Sequence, residues 1–425
     1  MTSRRWSLVA PWALLLTLPL GGLRFDPAAA QGQDPLTPLE PFRGVTETGM
    51  PQQGLFRRQA TGLVQQPMRQ AALAFLATLS PEQRRITQFP LDSDVRRRWT
   101  NIAVAPSPRF GISYAAMSPR QRQRADALLK AFLSTEGYRQ SKEIMLINGY
   151  LAEATGNWDR YGSEKFWITI YGDPSGSHPW AWRLEGHHLV LSFTVIGDQV
   201  VMTPTFMGAE PTTIPSGPHQ GVRVMAAQEA AGRALIQSLS PEQNAQAQLS
   251  PLKDGSNMLT EAGRDNAVVA ARGIQARNLT SQQRDLLMAI VQSYADQFRK
   301  ELSIQRIQEV RAHLETTRFS WIGKDGVEAP IYYRIQSPVV LIEFDQQRAV
   351  SLPGDPNTPL KTHIHTIVRT PNGNDYGADL LQQHLRDHHG HGPESAVIRS
   401  EGCRSGAAGA PAPGSTPQRR CGAAH

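Results

Sequence analysis

The spacing of apolar and polar positions divides the chain into helical and extended stretches. Met68, Ala71, Ala72, Phe75, Leu76 and Leu79 recur at helical spacing and share one face. Ser80-Pro81-Glu82-Gln83 then reads as a helix start, with a serine cap, proline at the first position and an acid in the first turn. The device returns at Ser118-Pro119-Arg120-Gln121 and Ser240-Pro241-Glu242-Gln243, and loosely at Thr280-Ser281-Gln282-Gln283. Helices are expected near 68–78, 81–87, 119–135, 140–154, 221–238, 281–300 and 303–315. Residues 165–207 and 318–370 switch to period two and to aromatic and β-branched side chains, with turns at Gly172–Gly176, Gly197-Asp198 and Gly323–Gly326, as antiparallel strands do.

The two extended stretches match each other. Trp180–Phe193 aligns without gaps on Ile331–Phe344 at a constant offset of 151, placing Trp182 on Tyr333, Arg183 on Arg334 and Phe193 on Phe344. The expected fold class is therefore α+β: a pseudo-duplicated helical region plus antiparallel β-meander, with two halves, 66–215 and 216–392, forming one two-lobed unit. Chance likeness between alternating strands is the competing explanation of the match.

The remaining segments bear on location. Arg4 and Arg5, the apolar run Trp6–Leu20 and Ala28-Ala29-Ala30 make residues 1–30 a cleavable signal peptide, so the protein is expected to be exported, to a periplasm or outside the cell. Ser3–Leu8 partly resembles a twin-arginine signal, but Ser7 occupies the usual aromatic position, which favours the general secretory route. No later run of about 18 apolar residues exists, so no stable membrane span is expected after cleavage. Residues 31–65, rich in Pro, Gly and Gln, read as a flexible linker, and 393–425 as a disordered tail. Cys403 and Cys421 both lie in that tail, which excludes a cysteine zinc finger and leaves at most a tail staple. The net charge is +7, carried by 37 Arg and 7 Lys, but the Arg clusters lack interleaved aromatics, so no nucleic-acid partner is expected.

The histidines change the picture. His187-His188 heads a strand, His363-Ile364-His365 lies within one, and His384 and His388 are four apart on a helical stretch that runs on to His389 and His391. Alternate strand residues point to one face, so His363 and His365 can converge on one ion; i and i+4 helix residues can do the same. His388, His389 and His391 read equally well as adventitious metal-binders of a tail. Glu343 is the odd carboxylate in an apolar strand, and an unpaired buried carboxylate is costly, so it needs a metal, a histidine or an arginine such as Arg334 or Arg369. Glu210 either turns into the site or caps the helix near Val222. No phosphate-binding loop, dinucleotide fingerprint, H-E-x-x-H or G-x-S-x-G occurs.

Trp99-Thr100-Asn101, Arg109-Phe110-Gly111, Glu185-Gly186-His187-His188, Gly208-Ala209-Glu210-Pro211, Tyr332-Tyr333-Arg334-Ile335, Ile342-Glu343-Phe344, His363-Ile364-His365-Thr366 and Asp375-Tyr376-Gly377 are specific together. With them the chain resembles the exported proteins catalogued as domain of unknown function 3500, from about Pro67 to His389. Gln336-Ser337-Pro338 departs from that family's pattern, which looks like Gly-Pro there. The resemblance implies export and supplies no activity.

Two functions remain open. One is a metal-dependent hydrolase: a divalent ion, with zinc a candidate, is held by His363, His365 and one or two of Glu343, His187, His188 and His384, with Glu343 as ligand or general base and Arg334 and Glu210 on the substrate. The other is a non-catalytic binding protein, in which the histidines and Arg334 form a pocket for a small anionic molecule or an envelope component.

Overall fold

The computed structural model describes residues 39–389, apart from 106–108, 325 and 356, and apart from the side chains of His388 and His389. The expected signal peptide and disordered tail, with His391 and both cysteines, lie outside the described residues. The N-terminal part contributes α1 (Gln66–Leu76), α2 (Pro81–Thr87), α3 (Pro119–Phe132) and α4 (Thr135–Thr155). Its strands are β1 (Gln88–Phe89), β2 (Ile112–Ser113), β3 (Phe166–Tyr171), β4 (Trp180–Gly186), β5 (Leu189–Ile196), β6 (Gln199–Val201) and β7 (Thr205–Ala209). The C-terminal part contributes α5 (Ala226–Ser238), α6 (Pro241–Ala247), α7 (Ser281–Ala295), α8 (Lys300–Ala312) and α9 (Ala378–His389). Its strands are β8 (Gln248–Ser250), β9 (Ile274–Gln275), β10 (Arg318–Gly323), β11 (Ile331–Gln336), β12 (Leu341–Arg348) and β13 (Pro359–Arg369). The fold is α+β.

All four cap motifs fold as capping boxes, in which the serine or threonine side chain accepts from the N–H three residues on and the glutamine there reaches back to the cap N–H. Pairs of boxes are also linked: Gln121 donates to Gln83 and Gln283 to Gln243, each at 2.7 Å. Helix α4 begins five residues earlier than expected, because Ser134 caps it by accepting from the Gly137 N–H.

One sheet runs through both parts in the order β1-β3-β4-β5-β7-β13-β12-β11-β10-β8. β1 and β8 join it in parallel, and every other pair is antiparallel. The matched residues occupy matched places: Trp182 pairs with Phe193 and Tyr333 with Phe344. Both pairs stack, with ring centroids 4.7 and 4.8 Å apart. The seam is β7 against β13, where His365 pairs with Gly208. The described residues through His384 form one compact unit, which does not confirm the expected division into two lobes.

Strand alternation gives the sheet two unlike faces. Trp182, Phe193, Tyr333 and Phe344 face the helices and pack with Phe75, Leu128, Phe132, Leu287 and Ile290 into the main core. The opposite face carries Arg183, Glu185, Glu343, Asp345, His363, His365 and Arg369, all buried. Irregular segments cover these polar groups and supply their partners, residues 95–101 over β4 and 253–266 over β12 and β13. The described part of the expected linker, 39–65, is likewise packed: Val45 is 1% exposed, and Thr46 exchanges backbone hydrogen bonds with Ala267 and Val269. Lack of periodicity there marks irregular covering chain, not a tether.

Candidate metal centre

β4 and β5 are joined by a two-residue turn, His187-His188, closed by the Gly186–Leu189 pair. His188 sits at φ 60°, in the left-handed region that L-residues enter at a cost of about 1–2 kcal/mol. Its backbone is held from both sides, donating to the Asn101 carbonyl at 3.0 Å and accepting from the Gly208 N–H at 2.8 Å. Its ring stacks on that of His187, centroids 3.9 Å apart. From the other side of the seam, β13 presents His363 and His365 on one face. Gly208 permits this approach, because a Cβ there would lie 2.3 Å from the Ile364 carbonyl oxygen and 3.4 Å from the His365 ring.

The three side chains meet at Nε2. His188 to His365 is 3.0 Å, His363 to His365 is 3.1 Å and His363 to His188 is 3.3 Å. Three nitrogens bound to one tetrahedral ion at about 2.0–2.1 Å stand roughly 3.3 Å apart, so the triangle has the size of a metal's coordination face. Among the described residues no other group of three His, Cys, Asp or Glu side chains converges this way.

The tautomers are fixed from behind. His363 Nδ1 lies 2.6 Å from the Arg348 carbonyl oxygen, which can only accept, so the proton is on Nδ1 and a lone pair points inward from Nε2. His365 Nδ1 lies 3.3 Å from a Glu261 carboxylate oxygen, with the same consequence. At most one of the three converging nitrogens then carries a hydrogen. Burial, with its neighbouring histidines, holds His188 well below the ordinary imidazole value. Burial and His365 lower His363 to about 4. Neutral rings with converging lone pairs are what a divalent cation takes up.

The other expected site residues are placed differently. His187 turns away from the triangle; its Nδ1 meets Asn148 Oδ1 at 2.8 Å and its ring lies between His188 and Tyr161, so it packs behind His188 and is not a member of the converging group. His384 lies on α9 and is not a member of the converging group. Glu343 is fully buried but saturated, accepting from the Leu259 and Thr260 N–H groups, the Thr260 hydroxyl and the Tyr332 hydroxyl, with the longest of these at 2.9 Å. Burial raises its carboxyl pKa, and the Thr260 and Tyr332 hydroxyls, the Leu259 N–H and the charge of its cross-strand neighbour Arg334 oppose the rise. Arg369, weighed as its partner, pairs instead with Asp265 and Asp375. Glu210 caps no helix; its carboxylate lies 3.8 Å from His363 Nδ1 and accepts from the N–H groups of Val350, Ser351 and Leu352, steadying the turn after Arg348, whose carbonyl orients His363. Arg334 is buried outside the triangle, near the Ala270 carbonyl.

Sequence reasoning did not find Glu261. It lies in an aperiodic stretch with no pattern to single it out, yet it stands behind His365 as a carboxylate stands behind a metal-binding imidazole. Such supporting groups change metal affinity by roughly 10–100-fold. Glu261→Ala is therefore expected to weaken metal binding by about that factor while leaving the three ligands in place, and Glu261→Gln to recover part of the loss. Competition against a chromogenic chelator measures both; equal affinity in wild type and Glu261→Ala would show that the carboxylate plays no such part.

A family model described as Protein of unknown function (DUF3500) matches residues 61–378. The chain belongs to this family. No curated protein and no solved structure matches it. All three converging histidines fall inside the DUF3500 match, and His384 falls beyond it. Among the described residues no helix is long and apolar enough to cross a membrane.

Proposed function

We propose that this DUF3500 protein is an exported metalloprotein in which His188, His363 and His365 hold one divalent ion, zinc being the best suited, and that it acts as a metal-dependent hydrolase. The carrying observation is the triangle of Nε2 atoms, 3.0–3.3 Å apart, with two lone pairs directed inward by Arg348 and Glu261. Three neutral imidazoles leave a fourth position for water or substrate, and an ion so held lowers the pKa of a bound water toward neutrality. The chain's part is to orient the rings and to keep His188 and His363 uncharged. Export agrees with the N-terminal segment. The equal strand order read inward from either edge, with stacked pairs at matched positions, supports reading the two halves as a duplicated unit with the ion at its seam.

A second reading, a binding protein without turnover, is favoured by one observation: Glu343 and Glu210, the two carboxylates expected to serve the site, already have their oxygens occupied by hydrogen-bond donors. The deciding experiment is elemental analysis of untagged processed protein, followed by assay against ester, phosphoester and amide substrates. About one ion per chain is expected, lost in a His363→Ala/His365→Ala double variant. Unchanged metal content in that variant overturns the site. Full metal occupancy without turnover on any of these substrates favours the binding protein.

A further inference from the structure

A second cleft opens on the polar face of the sheet, away from the histidines. Its volume is about 510 Å³, within the range of small-molecule sites. Ile322, Tyr332 and Arg334 belong to its floor, and residues 256–259 and 268–272 wall it. Its lining holds two arginines, Arg272 and Arg334, and no acid.

The matched position in the N-terminal half shows what is missing. Arg183, 151 residues before Arg334, donates to the carbonyls of Val95, Arg96 and Arg98 and forms a 2.8 Å ion pair with Glu185. Tyr171 stands where Ile322 stands in the other half, and both Arg96 and Arg183 lie over its ring. The space left there is about 10 Å³. In the C-terminal half Glu185 is replaced by Gln336, which donates to the Val269 carbonyl, and among the described residues Arg334 donates only to the Ala270 carbonyl. Arg334 is only 3% exposed, yet its one hydrogen bond is a long contact of 3.5 Å to the Ala270 carbonyl, and its buried Nε has no partner. The nearby carboxylate of Glu343 is already occupied by Leu259, Thr260 and Tyr332.

Arg334 feels the charge of its cross-strand neighbour Glu343 but shares no hydrogen bond with it, and a carboxylate in the cleft would supply the charge-assisted hydrogen bonds it lacks. The rest of the lining, including Leu249, Met258, Val269 and Ile322, is largely apolar. We infer that this cleft binds an organic carboxylate with an apolar body, its carboxylate on Arg334 and its entry guided by Arg272. The site takes no residue from the histidine triangle and stands independently of the metal.

The test is calorimetric titration of the full processed protein with sodium octanoate, and with octanamide as the uncharged probe. Saturable binding of octanoate and at least tenfold weaker binding of octanamide are expected. Arg334→Gln should weaken octanoate by about 10–100-fold, the loss of a charge-assisted contact. Should that variant fail to fold, Arg272→Glu, at an exposed position, is expected to weaken octanoate severalfold and to leave octanamide unchanged. The His363→Ala/His365→Ala variant should bind octanoate as wild type does, which separates this site from the metal. Octanoate that does not saturate, octanamide that binds equally well, or octanoate binding unaffected by Arg334→Gln or Arg272→Glu would overturn the inference.

Discussion

Arg369→Ala should cost about 3–5 kcal/mol of stability, because the side chain is completely buried and removing it strands buried charge. Its guanidinium donates to the Thr260 carbonyl from both Nε and Nη2, to the Glu261 carbonyl at 3.0 Å, and to the carboxylates of Asp265 and Asp375. It also lies 5.3 Å over the Trp99 ring. No smaller side chain meets these acceptors. Arg369→Lys keeps the charge but not the planar fork, so it should recover only part of the loss. Asp375 supplies a pH signature. Burial raises its pKa, and Arg369 opposes the rise. Without Arg369 the folded state holds that proton still more tightly than the unfolded chain does. The variant's deficit should therefore be smallest well below about pH 3.9, where Asp375 is protonated in the folded and unfolded states of both proteins, and grow as pH rises through the raised folded-state pKa that Asp375 has beside Arg369. Denaturant unfolding at several pH values reads both effects. A loss below about 1 kcal/mol, or a deficit that shrinks toward neutral pH, contradicts this picture.

The same arginine explains why the centre was only half legible in the sequence. The H-x-H spacing needs nothing beyond strand alternation, so His363 and His365 could be paired from the chain alone. His188 was visible as a histidine at a strand head, but not its left-handed backbone, which separates it from its neighbour His187. Nothing in the sequence distinguished the converging histidine from the one packed behind it. Glu343 was correctly read as a buried carboxylate in need of partners. Which partners depends on the segment laid over that face, and residues 253–266 have no period by which to place them. Arg369 pins that segment through the Thr260 and Glu261 carbonyls, and so positions both the donors to Glu343 and the carboxylate behind His365. The helices and strands were legible because capping boxes and alternation are local rules. The packed course of residues 39–65 was not, because its contacts are to Ala267, Val269 and Asn266, more than 200 positions away.

Stripping the ion proposed for the histidine triangle should lower the melting temperature sharply and reversibly. The triangle takes one ligand from the β4–β5 turn and two from β13, so an ion there ties together the two halves of the sheet across its β7–β13 seam. A ligand that binds the folded state alone stabilises it by RT ln(1 + [L]/Kd), about 4 kcal/mol when free metal exceeds Kd a thousandfold. With neutral rings the stripped protein also keeps the His363 and His365 lone pairs opposed at 3.1 Å, fixed by the Arg348 carbonyl and Glu261. Relief of that opposition adds to what the ion contributes. Dialysis against EDTA should therefore depress the transition, and one equivalent of zinc should restore it. Removing a ligand removes the opposition together with the ion. The His363→Ala/His365→Ala variant should accordingly be indifferent to EDTA, and no less stable than stripped wild type beyond the roughly 1–3 kcal/mol expected from lost packing. Glu261→Ala should fall between, with a normal zinc effect reached only at higher zinc. If EDTA shifts wild type and the double variant equally, it is acting elsewhere, and the seam is held by its strands alone.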